Sequence, residues 1–173
     1  MPNHTSNCVD VSVKTGCSKE QLALAELKTM LAINSEEFDF NGIIPMPKEL
    51  NKGRSYGFDN CPSDYKNERG CYVPKSKNVR DKWIKNFGFD NWYDWSNANW
   101  GTKWNSYDVD VDANFDDELT VQFFTAWSCP FPIFAKMKEY CQEHNLNLSW
   151  DVCFEGEDDV FDLMDEDMQE WGA

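Results

Sequence analysis

Four segments of this 173-residue chain alternate apolar and polar side chains with a period of two. That period sends successive side chains to opposite faces of a strand, so it describes a half-buried antiparallel sheet rather than a helical bundle. In the first segment Val9, Val11 and Val13 face inward, while Cys8, Asp10, Ser12 and Lys14 face out. In the second, Tyr107, Val109 and Val111 are expected inside and Asp108, Asp110 and Asp112 outside. The third runs Leu119, Val121, Phe123 against Thr120 and Gln122, with Phe124 and Ala126 making it partly two-sided, as a central strand would be. The fourth sets Leu146, Leu148, Trp150, Val152 and Phe154 against Asn147, Ser149, Asp151, Cys153 and Glu155. Asn114–Asp117 reads as a hairpin turn between the second and third, and Phe38-Asp39-Phe40 as a short piece pairing at an edge.

Two helices are well signalled between these strands. Ser18 with Gln21 three residues on reads as a capping box opening a helix over Lys19–Ile33, with Leu24, Leu27 and Leu31 on one face. Pro132 suits a first helical turn and opens a second helix carrying Ile133, Met137, Tyr140 and Cys141, ending near His144. A weaker third spans Lys77–Asn86. The resulting order is that of a split βαβ, or ferredoxin-like, α+β domain with helices on one face of its antiparallel sheet. The domain is expected over residues 1–155, with a loop-rich and aromatic insert at 41–106 and an acidic helix or tail at 156–173.

Charge divides the chain unevenly. Residues 1–106 carry 14 basic and 13 acidic side chains, net +1, whereas 107–173 carry 2 basic and 18 acidic, net −16. The densest run holds Glu155, Glu157, Asp158, Asp159, Asp162, Asp165, Glu166, Asp167 and Glu170 with no cation among them. Such a field repels phosphate backbones and speeds encounter with basic surfaces. Val160, Phe161, Met164, Met168 and Trp171 fall at a helical spacing through it, which predicts an apolar stripe that packs on something.

Other classes are excluded by what is missing. At 41% hydrophobic and 15% aromatic the chain is too apolar for disorder, yet no run of about 20 apolar residues would span a membrane. Met1–Asn7 is polar and no basic-then-apolar leader follows, so a soluble, unsecreted protein in the cytoplasm is expected. Seven cysteines, none closer than nine residues to the next, with only His4 and His144 beside them, lack the C-x2–4-C pair of a zinc site. Reduced thiols and no metal are therefore expected. The run from Asp108 to Leu119 fails as a calcium loop, because its sixth and twelfth positions are Ala113 and Leu119 where Gly and Glu are needed. No phosphate-binding glycine loop or matched nucleophile and base stands out, so neither a cofactor nor an enzyme is expected. Five tryptophans lie within twenty-two residues, and Trp92, Trp95, Trp100 and Trp104 among them offer either an aromatic mini-core or a stacking platform for single-stranded bases.

Several stretches together resemble the YubB ferredoxin-like family of small phage- and plasmid-encoded proteins. They are Met1-Pro2-Asn3-His4 before a strand, then Phe38-Asp39-Phe40-Asn41-Gly42-Ile43-Ile44-Pro45-Met46-Pro47-Lys48-Glu49-Leu50. Trp92-Tyr93-Asp94-Trp95 through Asn99-Trp100-Gly101-Thr102-Lys103-Trp104, and Phe124-Thr125-Ala126-Trp127-Ser128, complete the set. The resemblance implies a ferredoxin-like fold, a phage or plasmid gene and a bacterial host cytoplasm, and it supplies no catalytic residues. Taken with the charge, it leads to the expectation of a non-enzymatic accessory protein that binds and inhibits a bacterial host protein with a basic surface, as an anti-defence factor or DNA mimic. Its expected contacts are Asp108, Asp110, Asp112 and the carboxylates from Glu155 to Asp167. The alternative is a single-stranded nucleic-acid-binding module using the Trp-rich insert, although the net charge disfavours direct nucleic-acid contact.

Overall fold

The computed structural model describes residues 3–51, 65–113, 115–156 and 161–163. Its four long strands are β1 (His4–Val13), β2 (Tyr107–Asp112), β3 (Glu118–Ala126) and β4 (Leu146–Phe154), joined by a two-residue β5 (Phe161–Asp162). All pair antiparallel in the order β2-β3-β1-β4-β5. Helix α1 (Ser18–Met30) follows β1 and helix α5 (Phe131–Glu143) follows β3, so the chain reads β-α-β-β-α-β before β5. Between α1 and β2 lie α2 (Lys48–Asn51), α3 (Lys77–Phe87) and α4 (Trp92–Asn99). This is an α+β architecture, as the alternation implies.

Register explains which face is covered. Val9 sits between Val121 of β3 and Trp150 of β4, and Val11 between Leu119 and Leu148. These side chains, with Phe123 and Val152, join Leu24, Leu27 and Leu31 from α1 and Ile133, Phe134 and Met137 from α5 in one buried cluster. Tyr140 ties the two helices together by donating its hydroxyl to the Ala23 carbonyl at 3.0 Å.

β1 runs further than its hydropathy suggests. Thr5 and Asn7 are buried on the same face as Val9, and Asn7 is satisfied there. Its amide donates to the Thr5 carbonyl at 3.0 Å and to Thr125 Oγ1 at 3.1 Å, while the Trp150 indole N–H donates to Asn7 Oδ1 at 3.1 Å. A polar side chain with every group paired can occupy a core at little cost, which hides such a strand from a hydropathy reading.

Four local expectations need correction. Phe38-Asp39-Phe40 is not a strand: a 3-10 turn over Phe40–Gly42 lets both rings enter the core, where Phe38 stacks on Phe123 with centroids 4.5 Å apart. Ser18 does not cap α1, whose N-cap is Cys17 without a side-chain bond. Glu20 instead clasps the chain ahead of the helix, accepting from the backbone N–H of Thr15 at 2.8 Å and of Gly16 at 3.1 Å and from the Asn145 amide. Tyr107 is not on the covered face, because the β2–β3 register shifts between Tyr107 and Asp110, and Asp108 takes φ +49° at that bulge. Tyr107 therefore pairs with Phe124 and turns to the open side. Finally, the helical stripe expected through the acidic end does not hold at Phe161–Asp162, which extend along β4, with Leu163 N–H donating to the Trp150 carbonyl at 2.8 Å. Leu163 is buried in the main cluster.

Candidate functional site

Helices cover one side of the sheet; the other side carries the polar half of every alternating strand. Its rows follow directly from the register. One row runs Tyr107, Phe124, Ser6, Cys153; the next Asp110, Gln122, Cys8, Asp151, with Asp162 opposite Asp151 on β5; the third Asp112, Thr120, Asp10, Ser149; the fourth Glu118, Ser12, Asn147. The five described strands contain seven carboxylates, Asp10, Asp108, Asp110, Asp112, Glu118, Asp151 and Asp162, and no Lys or Arg. Asp10, Asp108, Asp110, Asp112 and Glu118 are exposed. With strands about 4.8 Å apart, Asp112 and Asp10 stand roughly 10 Å from each other across Thr120, whose hydroxyl donates to Asp10. Among the described residues, no three His, Cys, Asp or Glu side chains come together closely enough to hold a metal ion.

The field of this face is felt by Cys8, one of two thiols that lie on it with Cys153. Burial first, and then the charges of Asp10 and Asp151, push the Cys8 thiol above its ordinary range. Cys129 and Cys141 are also raised, the latter to about 12, but by burial in the core, so neither is an activated nucleophile.

At one end the face hollows into a cleft of about 460 Å3 lined by His4, Ser6, Asp108, Phe124, Cys153 and Glu155. Phe124 is 36% exposed in mid-strand and stacks on Tyr107 with centroids 6.3 Å apart. His4 meets both rings edge-on, at 5.7 Å from Tyr107 and 6.0 Å from Phe124. Glu155 and His4 grip each other: the His4 backbone N–H donates to Glu155 Oε2 at 2.7 Å, and the Glu155 N–H to the His4 carbonyl at 3.0 Å. Burial, followed by the charges of Asp108 and Glu155, raises the Tyr107 hydroxyl pKa.

The sequence-derived candidates divide accordingly. Asp108, Asp110, Asp112 and Glu155 are brought to one side of the sheet. Glu157, Asp158, Asp159, Asp165, Glu166 and Asp167 lie outside the described residues, and Asp162 is located by its backbone alone. Trp92, Trp95 and Trp100 are 4%, 5% and 0% exposed, so those three rings pack in the core and offer no stacking surface. Trp104 is half-buried beside them, with Lys103 Nζ 4.3 Å from its ring centroid. The burial has a local cause: Asn91 caps α4 by accepting from the Asp94 N–H at 3.0 Å, and the resulting helix turns Trp92 and Trp95 onto the cluster.

Sequence reasoning missed Asp10, Asp151, Glu118 and the His4, Tyr107, Phe124 group as parts of one site. The outward registers of Asp10 and Asp151 were visible, but their meeting across β1 and β4 is a property of strand order. Fold and face together define a small α+β protein whose antiparallel sheet is packed on one side and open and acidic on the other. No family model matches the chain, and no curated protein or solved structure matches it. Among the described residues no helix is long and apolar enough to cross a membrane.

Proposed function

We propose that this is a ferredoxin-like, non-enzymatic protein that docks its open sheet face on a basic surface of a bacterial host protein and blocks it. The ferredoxin-like reading is supported by the β-α-β-β-α-β order, the strand sequence β2-β3-β1-β4 and two helices packed on the covered side. The observation that carries the functional reading is the row pattern of Asp110, Asp112, Glu118, Asp10 and Asp151 in strands without a single cation. Like charges at such spacings repel a phosphate backbone and a second copy of the same face, and they favour a surface rich in Lys and Arg. A surface that normally holds nucleic acid fits best, because its cations are already arranged for a lattice of anions. The resemblance to a phage- and plasmid-borne family supplies the setting: inhibition of a defence or nucleic-acid-handling factor in the host cytoplasm. The carboxylates from Glu157 to Asp167 raise the net negative charge of the chain.

The test is capture from nuclease-treated bacterial lysate by tagged wild-type protein beside two variants, one carrying Lys and one Asn at positions 10, 110, 112 and 151. A stoichiometric protein is expected on the wild type, released by rising salt, reduced on the Asn variant and absent from the Lys variant. The purified captured protein should also lose its own nucleic-acid binding when the wild type is added. Equal capture by all three chains, or undisturbed nucleic-acid binding, would overturn the reading.

A further inference from the structure

We propose that the cleft at the Tyr107 end of the open face takes an arginine side chain of the docked protein. The proposal rests on the docking reading above and names the anchor within it. Its basis is the chemistry of the groups that remain once the cleft's internal hydrogen bonds are assigned.

The Tyr107 hydroxyl donates to the Thr125 carbonyl at 3.2 Å, and its oxygen lies 2.7 Å from His4 Nδ1. Glu155 commits Oε2 to the His4 N–H, which leaves Oε1. Asp108 lines the same cleft and forms no ion pair among the described residues. The remaining oxygens of these two carboxylates can only accept.

The wall beside them is flat and aromatic. Phe124 and Tyr107 lie 28° from parallel, and Phe124 presents its ring at the cleft. A ligand matched to acceptors on one side and a π surface on another is a planar cation with donors only. Guanidinium has that description: five N–H donors in a fixed fork, no acceptor, and a face that stacks on aromatic rings. An ammonium would meet the carboxylates but gains less from stacking and cannot fork. The bulge builds the site, since it turns Tyr107 outward and holds Asp108 at φ +49°, a conformation that Asp and Asn tolerate better than most residues.

The experiment titrates the full chain with acetylated, amidated pentapeptides of Gly and Ser carrying one central arginine, lysine or citrulline, and follows backbone amide NMR shifts. The arginine peptide is expected to move the amides of Ser6, Phe124, Cys153 and Glu155 saturably. Lysine should bind about tenfold more weakly, and citrulline, which keeps the shape without the charge, should not bind. Asp108→Asn, compatible with the bulge, and Phe124→Leu, which keeps bulk without the ring, should each weaken the arginine peptide by about tenfold. Asp112→Asn, two rows away, should leave it nearly unchanged. Equal binding of lysine and arginine, or indifference to Asp108→Asn and Phe124→Leu, would reduce the cleft to ordinary negative surface and overturn the proposal. Loss of host-protein capture in the Lys variant with no arginine binding would remove the anchor alone. Arginine binding without any captured partner would remove the docking reading and leave the cleft's selectivity standing.

Discussion

Trp100 donates its indole N–H to the carbonyl of Ile44 at 2.8 Å, joining residues 56 apart in sequence while its ring is fully buried. The bond fastens the end of α4 to the segment around Phe40, whose ring meets Trp100 edge-on at 5.8 Å. Asp39 and Asn41 complete the clasp, with Asp39 Oδ1 accepting from Asn41 N–H at 3.0 Å and from the Asn105 amide at 2.6 Å. The residues that carried the family resemblance are thus packing residues in large part. They describe a fold more than an activity.

Trp100→Phe should destabilise the chain by about 1–3 kcal/mol, since it strands the Ile44 carbonyl and leaves a small void; Trp100→Ala should cost about 3–5 kcal/mol. Urea unfolding checks both values. Host-protein capture by folded Trp100→Phe should match wild type, because the ring does not reach the open face.

Gly42 tolerates no side chain. A Cβ there would lie 1.7 Å from the Met30 carbonyl oxygen, which belongs to backbone that cannot rotate away. Gly42→Ala is expected to cost at least about 3 kcal/mol by displacing the turn from the end of α1. Gly88→Ala is the control: at φ +79° in open space it should cost only about 1–2 kcal/mol from backbone conformation. Similar losses at both positions would contradict the close approach.

The Thr15 backbone N–H, helped by Asn145, the Thr15 hydroxyl and Gly16, holds the Glu20 carboxyl down at about 2 against the opposing effect of burial. A group whose pKa is lower folded than unfolded stabilises fully above the unfolded value, near 4.3, and loses that contribution as pH falls toward 2. Glu20→Gln should therefore be less stable than wild type from pH 5 to 8, and the gap should close between about pH 4.5 and 2. Denaturant titrations across that range measure it, and a gap independent of pH would refute the clasp.

Cys8 reports on the acidic face without any partner. Removing a neighbouring negative charge lowers a thiol's pKa and raises its thiolate fraction, so Asp151→Asn should speed labelling of Cys8 at pH 8 by about two- to threefold. Cys129 and Cys141, raised by burial, should stay unlabelled in the folded chain, and exposed Cys17 should react first among the described thiols. Mass spectrometry of peptides after timed labelling separates these sites.

Strands, the two main helices and the sign of the outward face were legible in the sequence because each depends on neighbours in the chain. Alternation at Val9–Val13, Leu119–Phe123 and Leu146–Phe154 is a local record of which side chains leave water, and Leu24, Leu27 and Leu31 record the same for a helix. Asp108, Asp110 and Asp112 were outward for that reason too. Strand order, register and the choice between core and surface for an aromatic ring are decided by segments far apart in sequence. Only the tertiary structure sets Asp10 and Asp151 on the same face as the β2 carboxylates and moves Tyr107 across the sheet through a bulge. It also buries Trp92, Trp95 and Trp100, whose spacing suits a core and a stacking platform equally. Hydropathy has no memory of partners: a polar Asn7 satisfied by Thr125 and Trp150 and a polar His4 facing Tyr107 look alike in the chain, and the fold gives one to the core and the other to the cleft.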